Sequence, residues 1–403
     1  MTPGPQSGAV GRRRWSVAAL LIAVAVPLGA QSSRVFRDGN SWVEETTGTL
    51  PAGREFRTFT DLGSVQVRGS ASQVTYVVRK RSNADNEEAA RKQFQQLRIT
   101  ASKVGDAVVL EGRLMGRAMN RMAADFMVQI PRLTPVVRAE TRGGGLSLNS
   151  LSGTVVGATG GGNVKVDDIS GPVKITSSGG NMEAGNVTSD LFLQSGGGNI
   201  SVERVTGQLF IKTGGGQVKI GTAGATTVET GAGNIVESQC NGDLHASSGG
   251  GNLNLGDVRG AVTAQTSGGT VRLASAQGAV EVNTGGGAVE LMRVGQSAHV
   301  ETGGGPITVQ FVAGRGQFRD SYLHTAMGNV VVYLPRDLGV NVHASTELAS
   351  GGGIKSEFPG LGITSEGGQY GPKSMFGEGP LNGGGPVLRL RTTIGEIDIR
   401  RLQ

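Results

Sequence analysis

The 403-residue sequence contains a single cysteine, Cys240, so no disulfide can form within the chain. Aromatic residues make up 4% of the sequence and charged residues 17%. Its four histidines stand far apart, without the spacing typical of metal ligands: His245, His299, His324 and His343. These scarcities argue against a disulfide-stabilised domain, a metal centre and an aromatic platform for sugars.

Catalytic motifs are also missing from the sequence. No Gly-x-Ser-x-Gly or His-Glu-x-x-His segment occurs. Polysaccharide-degrading enzymes need clustered acids in a groove, whereas the pair Asp167-Asp168 does not recur in the neighbouring repeats. The sequence therefore predicts no catalytic residue, no metal ligand and no cofactor.

The net charge of +6 is small for 403 residues and gives little reason to expect a nucleic-acid partner. The apolar run at residues 17–28 is too short to span a bilayer comfortably, and no later run reaches the roughly 18 residues that a membrane helix needs. We therefore expect no transmembrane segment once the N-terminal signal is removed.

Residues 1–30 have the pattern of an export signal. A basic segment, Arg12-Arg13-Arg14, precedes the apolar run, and small residues follow it. This order predicts cleavage between Ala30 and Gln31, and export to the periplasm, the outer surface or the medium. An uncleaved anchor is the alternative, while Gln31 in place of a cysteine argues against lipidation.

Glycine, by contrast, is abundant at 69 residues, and much of it recurs in triplets of small residues. Ten such triplets follow one another at intervals of 17 or 18 residues and bound nine repeats. They begin at Gly143, Gly160, Ser178, Gly196, Gly214, Gly231, Gly249, Ser267, Gly285 and Gly303. A fixed period of this length is the mark of a solenoid.

Within each repeat, apolar and polar residues alternate twice, as in Val164, Val166, Ile169, Val173 and Ile175. The pattern predicts an all-β fold, a single-stranded right-handed parallel β-solenoid with coils of about 18 residues. We divide the chain into a signal peptide (1–30), a mixed α/β N-terminal cap (31–140), the Gly-rich repeats (141–312) and a C-terminal part with a β cap (313–403).

The triplets are interpreted as corners where a positive φ is needed and where a Cβ would clash. An asparagine ladder follows them, with equivalent amides one above another: Asn163, Asn181, Asn199, Asn234 and Asn252. A row of threonines precedes the corners at Thr213, Thr230, Thr266, Thr284 and Thr302. Both rows are assigned structural roles. The alternatives are a ligand-binding stripe for the asparagines and an ice-binding surface for the threonines.

Two residues break the apolar pattern of the repeats. Glu237 falls at an inward position, and we expect it to be displaced by the short coil before it or to be paired. Cys240 takes the place of a core aliphatic and is expected to be inert.

Three features flank the repeats. A short helix is expected near residues 85–97, capped by Asn83 or Asp85. Arg113, Arg117 and Arg121 stand at helical spacing and form either a solvated turn or a basic stripe for phosphates. The two closing strands, at residues 387–394 and 396–400, carry charged outer faces that suit an end cap.

Three segments resemble bacterial putative-adhesin domains of unknown function. They are Gln129-Ile130-Pro131 leading into Glu140-Thr141-Arg142-Gly143, then Val332-Tyr333-Leu334-Pro335, and the closing segment 383–399. The resemblance covers roughly residues 60–403, and its motifs are structural. It implies an exported β-solenoid of the cell envelope and carries over no catalytic residues.

Three functions remain open on the sequence. The first is a non-enzymatic adhesin-like or scaffolding protein with an unknown envelope, protein or glycan partner. The second is a polysaccharide-active enzyme on the same scaffold, which would need acids converging on one face. The third is a self-assembling structural element of the envelope.

Overall fold

The computed structural model describes residues 31–116, 122–314, 316–349, 353–367 and 373–402. Strands dominate these residues, and a single short helix accompanies them there. Within the same ranges, no helix has the length and apolarity required to cross a membrane. Two long sheets carry the fold, so the predicted all-β class is confirmed.

The N-terminal elements precede the regular coils. They are β1 (Ser32–Asp38), β2 (Ser41–Leu50), β3 (Glu55–Thr60), β4 (Ser64–Gly69), β5 (Val74–Ser82), α1 (Glu87–Phe94), β6 (Leu97–Val104), β7 (Ala107–Leu114) and β8 (Met122–Ile130). The helix begins after Asn86, whose side chain accepts a hydrogen bond from the Ala89 N–H, so Asn86 is the N-cap rather than Asn83 or Asp85. Ala90 and Phe94 form its buried face.

The regular coils each contribute two strands of five or six residues. They are β9 (Val136–Thr141), β10 (Leu146–Leu151), β11 (Thr154–Thr159), β12 (Val164–Ile169), β13 (Val173–Ser177), β14 (Met182–Val187), β15 (Leu191–Ser195), β16 (Ile200–Val205), β17 (Leu209–Thr213), β18 (Val218–Ala223), β19 (Thr226–Thr230), β20 (Ile235–Cys240), β21 (Leu244–Ser248), β22 (Leu253–Val258), β23 (Val262–Thr266), β24 (Val271–Ala276), β25 (Val280–Thr284), β26 (Val289–Val294), β27 (Ala298–Thr302) and β28 (Ile307–Phe311).

The C-terminal part continues the stack less regularly. Its strands are β29 (Ser321–Met327), β30 (Val330–Leu334), β31 (Val340–Leu348), β32 (Ile354–Ser356), β33 (Gly362–Glu366), β34 (Ser374–Leu381), β35 (Val387–Ile394) and β36 (Ile397–Arg401).

Successive coils pair in parallel and build two facing sheets. Sheet A runs from β10 through the even-numbered strands to β30, and sheet B from β9 through the odd-numbered strands to β29. Equivalent residues lie directly beside one another, as Val164 beside Met182 and Val173 beside Leu191. Each strand turns its aliphatic residues inward, so the core is one continuous column between the sheets.

Pairing between strands distant in sequence sets the strand order at both ends of the stack. At the N-terminal end, β4 lies between β8 and β10 while β3 lies between β7 and β9. At the other end, β36 lies between β30 and β32 while β35 lies between β29 and β31. The expectation that the closing strands form the end cap is therefore wrong, because long-range pairing places them inside the stack.

Antiparallel strands finish the sheets. The order β8–β5–β2–β1 closes sheet A, and β6 pairs with β7 at the same end of sheet B. At the far end, β34 pairs with β31 and β33 pairs with β34. These strands cover the edges of the parallel coils, which would otherwise offer unpaired backbone groups to other chains.

Each corner follows a Ser/Thr-x-x-Gly pattern that links two coils. Thr266 shows the geometry: its Oγ1 donates to the carbonyl of Gly251 at 2.9 Å and accepts from the N–H of Gly269 at 3.2 Å. The row is buried, so it cannot be a surface for water or ice. The same hydroxyl-to-glycine bond recurs from Thr159, Ser195, Thr213, Thr230, Ser248 and Thr284.

The glycine of this pattern is needed for close stacking, not for its φ. A Cβ on Gly198 would overlap the carbonyl oxygen of Gly180, whereas a Cβ on the preceding Gly197 would meet no atom within 4 Å. Of the repeat glycines, only Gly305 has a positive φ, at 120°. The predicted steric clash is thus confirmed, while the predicted positive φ is wrong for the other corners.

The corner hydroxyl gives a first stability prediction. We expect Thr266→Val to lower the free energy of unfolding by about 1–3 kcal/mol, because a buried carbonyl and a buried N–H lose their partner. Thr266→Ser should be close to neutral, since Ser248 makes the same two bonds one coil earlier. Urea denaturation followed by circular dichroism measures both, and equal losses in the two variants would contradict the bridging role.

Candidate functional site

The outer face of sheet A carries a groove of about 950 Å³ that crosses several coils, from β4 to β22. The asparagine ladder borders it, and Lys165, Glu183, Ser201 and Lys219 project from the successive strands beneath. The charged groups pair locally, as Lys165 Nζ lies 3.3 Å from Glu183 Oε1. The surface is thus long, polar and nearly balanced in charge.

The asparagine ladder is held by the backbone of the next coil. The Oδ1 of Asn163 accepts from the N–H of Asn181 at 3.1 Å, and that of Asn181 from the N–H of Asn199 at 2.9 Å. Asn199, Asn234 and Asn252 make the same bond to Gln217, Asn252 and Thr270. The amide oxygens therefore tie the coils together. Four of the five asparagines are exposed, and Asn234 is half-buried.

The outer face of sheet B carries a second groove, of about 580 Å³. Phe192 and Phe210 stack there with ring centroids 4.9 Å apart and planes 3° from parallel. The ammonium of Lys174 lies 5.2 Å from the Phe192 centroid, on the preceding strand. Thr227 and His245 continue the same row on the next two strands. The two phenyl rings stand 18 residues apart in the sequence, a spacing that could have revealed their contact.

All four histidines lie on the outer face of sheet B. His299 and His324 flank Tyr322, with ring centroids 5.2 and 6.0 Å from it, while His343 lies 3.4 Å from Glu378 Oε1. In the described ranges, no group of histidine, cysteine and acidic side chains could hold a metal ion. The sequence did not predict that the four histidines share one face, because such a prediction requires the register between distant coils.

Acidic residues do not converge on either face. In the described strand pairings, no aspartate or glutamate lies directly beside another acid. Their neighbours are basic or neutral, as Glu229 beside Lys212 and Glu290 beside Arg272. Asp168 binds Arg132 at 2.9 and 3.0 Å across two coils, and these hydrogen bonds lower the pKa of its carboxyl. These three acids thus make ion pairs with basic side chains of other coils.

Glu237 lies in the core, 2% exposed, between Ile220 and Leu255. The expected displacement is wrong, because the short coil loses its residue in the turn between β18 and β19 and the strands keep their register. Thr226 Oγ1 donates to Glu237 Oε1 at 3.1 Å, whereas Oε2 has no partner among the described atoms. Desolvation raises the pKa of this carboxyl to about 7.

Cys240 is buried beside this carboxyl. Its thiol donates to the carbonyl of Gly224 at 2.9 Å. Burial raises the pKa of the Cys240 thiol, and the nearby Glu237 carboxyl raises it further. A buried thiol of raised pKa is a poor nucleophile, so the pair has no catalytic geometry.

Two remaining predictions concern the N-terminal third. Arg113 lies in β7 rather than in a helical turn, and its guanidinium stacks 3.8 Å from the Phe59 centroid. Arg117 and Arg121 lie outside the described residues, so the solvated turn and the basic stripe both stay predictions. Ala30 and the signal segment also lie outside them, and Gln31 is the first described residue.

Similarity to known proteins is found among solved structures. No protein-family model and no curated protein matches the sequence. A putative cell adhesion protein from Clostridium sporogenes is 10% identical, with 93% of this chain and 100% of that chain covered, at a TM-score of 0.19. The chain is similar to proteins described as adhesins. This agrees with the resemblance found in the sequence motifs.

Two structures from Parabacteroides distasonis also match. One, described as a putative adhesin, is 13% identical over 75% of this chain and 96% of that chain, at a TM-score of 0.27. The other, described as a putative lipid binding protein, is 14% identical over 73% of this chain and 97% of that chain, at 0.26. These TM-scores are below 0.5, so the function is inferred from the chain's own grooves.

Proposed function

We propose that the chain is an exported, non-enzymatic, adhesin-like β-solenoid that binds a protein or glycan partner of the bacterial envelope. One observation carries the proposal: both outer faces offer grooves that cross several coils, of about 950 and 580 Å³. Rigid parallel strands fix their polar side chains at a spacing of about 4.8 Å. Such a surface suits recognition of an extended partner.

The distribution of acids favours binding over catalysis. Glycoside hydrolysis requires two carboxyl groups facing one bond, at separations of roughly 5–10 Å. In the sheet A groove, Glu183 is instead followed on the next coil by Ser201. In the sheet B groove, Asp190 and Asp243 precede strands that are three coils apart. The polysaccharide-active enzyme is therefore the weaker candidate.

The proposal also covers the export of the chain and the handedness of the solenoid. The basic and apolar segments of residues 1–30 support secretion with cleavage between Ala30 and Gln31, and N-terminal sequencing of the secreted chain tests that bond. We further infer a right-handed winding, because crossovers between parallel strands of one sheet are almost always right-handed.

A cell-binding assay tests the proposed function. Fluorescently labelled mature chain, residues 31–403, should bind bacterial cells or their isolated envelope saturably, and unlabelled chain should compete. A panel of envelope polysaccharides should remain uncleaved after incubation with the same preparation. Release of reducing sugar that disappears on mutation of one groove acid would overturn the non-enzymatic assignment, and absence of saturable binding would overturn the adhesin-like role.

A further inference from the structure

The sheet B groove contains an open slot beside its stacked phenyl rings. Phe192 is covered on one side by Lys174 and on the other by Phe210. The far side of Phe210 faces the next strand, where the row continues with the small side chain of Thr227. One face of the aromatic pair is therefore left without an aromatic neighbour on the next strand.

His245 forms the opposite wall of this slot. It follows Thr227 in the same outward row, so Phe210 and His245 are two strand spacings apart, or about 9.6 Å. A planar ring that packs between two others requires a distance of about 7–8 Å between the outer two, which is two van der Waals contacts. The extra width suits a puckered saturated ring better than a flat nucleobase or aromatic side chain.

Polar groups stand at the floor and edge of the slot. Thr227 lies on the strand between those of Phe210 and His245, and Gln208 and Asp243 line the same cavity. Asp243 Oδ1 accepts from the N–H of Ala261 at 2.8 Å, which fixes the carboxylate and leaves Oδ2 to accept from a ligand hydroxyl. Ligand sites commonly combine an apolar wall with a few such fixed polar groups.

We propose that the slot between Phe210 and His245 binds a pyranose ring of a saccharide. The C–H face of the sugar packs against Phe210, and its hydroxyls form hydrogen bonds with Thr227 and Asp243. This inference rests on the binding role proposed above and names the ligand class for one of its two grooves. It also revises the expectation that the repeats lack an aromatic platform for sugars.

Calorimetric titration of the mature chain with cellotriose, N,N′,N″-triacetylchitotriose and maltotriose tests the slot. At least one trisaccharide should bind, and Phe210→Ala should weaken it by about fivefold or more, the effect of losing an aromatic packing partner. Thr227→Trp, which fills the slot without changing the core, should abolish binding. His299→Ala, in the same row three strands beyond His245, is the matched control and should bind like the wild type.

The outcomes separate the two proposals. Failure of all three trisaccharides to bind, or unchanged affinity in Phe210→Ala and Thr227→Trp, overturns the saccharide slot. If cells are still bound in that case, the adhesin-like function stands and acts through another surface. If a trisaccharide binds at the slot but cells are not bound, the slot stands and the adhesin-like function fails.

Discussion

Gly198→Ala is expected to unfold the solenoid locally and to lower the free energy of unfolding by about 3–5 kcal/mol, at the upper end for single substitutions. Its new Cβ would overlap the carbonyl oxygen of Gly180 on the adjacent coil. That carbonyl also accepts the hydrogen bond from Ser195, so relief of the clash breaks the corner bridge. Guanidinium denaturation and the melting temperature measure the loss.

Gly197→Ala is the matched control, one residue away. Its Cβ meets open space and its φ is not positive, so the variant should be neutral or gain about 0.4–1 kcal/mol from a less flexible unfolded chain. Ala232 already occupies the equivalent middle position of another corner. Similar stabilities for the two variants would show that coil stacking does not set the glycine requirement.

Glu237→Gln is expected to be more stable than the wild type at pH 8, by about 3 kcal/mol. The carboxyl has a pKa of about 7 when folded, above the 4.5 typical of glutamate. The unfolded chain therefore loses this proton first, and wild-type stability falls as pH rises from about 4.5 to about 7. Glutamine keeps an acceptor for Thr226 but cannot ionise.

Urea titrations of both proteins at pH 5 and pH 8 measure this effect. The stability difference should be small at pH 5, should grow to its full size at pH 8, and should not increase further at higher pH. Exposed Glu203, on the outer face of sheet A, provides a control, since Glu203→Gln should show little change between the two pH values. A difference that is the same at both pH values would contradict a buried, protonated carboxyl.

The repeat period was sufficient to predict the coil, because every coil places equivalent residues in the same register. It did not reveal why Gly198 is glycine, since the clash involves Gly180 in another coil. The positions of β35 and β36 were mispredicted for the same reason. Alternation of charged and apolar residues predicts a strand with one solvent-exposed face, but it does not identify the strands that pair with it.

The residues of the outer grooves could be predicted only in part from the sequence. The asparagine ladder recurs at the repeat period, so its alignment was predicted, although its hydrogen bonds to backbone N–H groups were not. The slot at Phe210 was missed because Thr227 and His245, which continue the row of the two phenylalanines, are different residue types on the next two strands. Only the register brings them into one row.

Distances between spin labels test the stacked coil most directly. In a Cys240→Val background, labels at positions 165 and 272 are six strand spacings apart, and those at 165 and 331 are nine. At about 4.8 Å per strand, double electron–electron resonance should give narrow distributions near 29 and 43 Å. Distances that do not increase in proportion to the number of coils would contradict the solenoid and every surface derived from it.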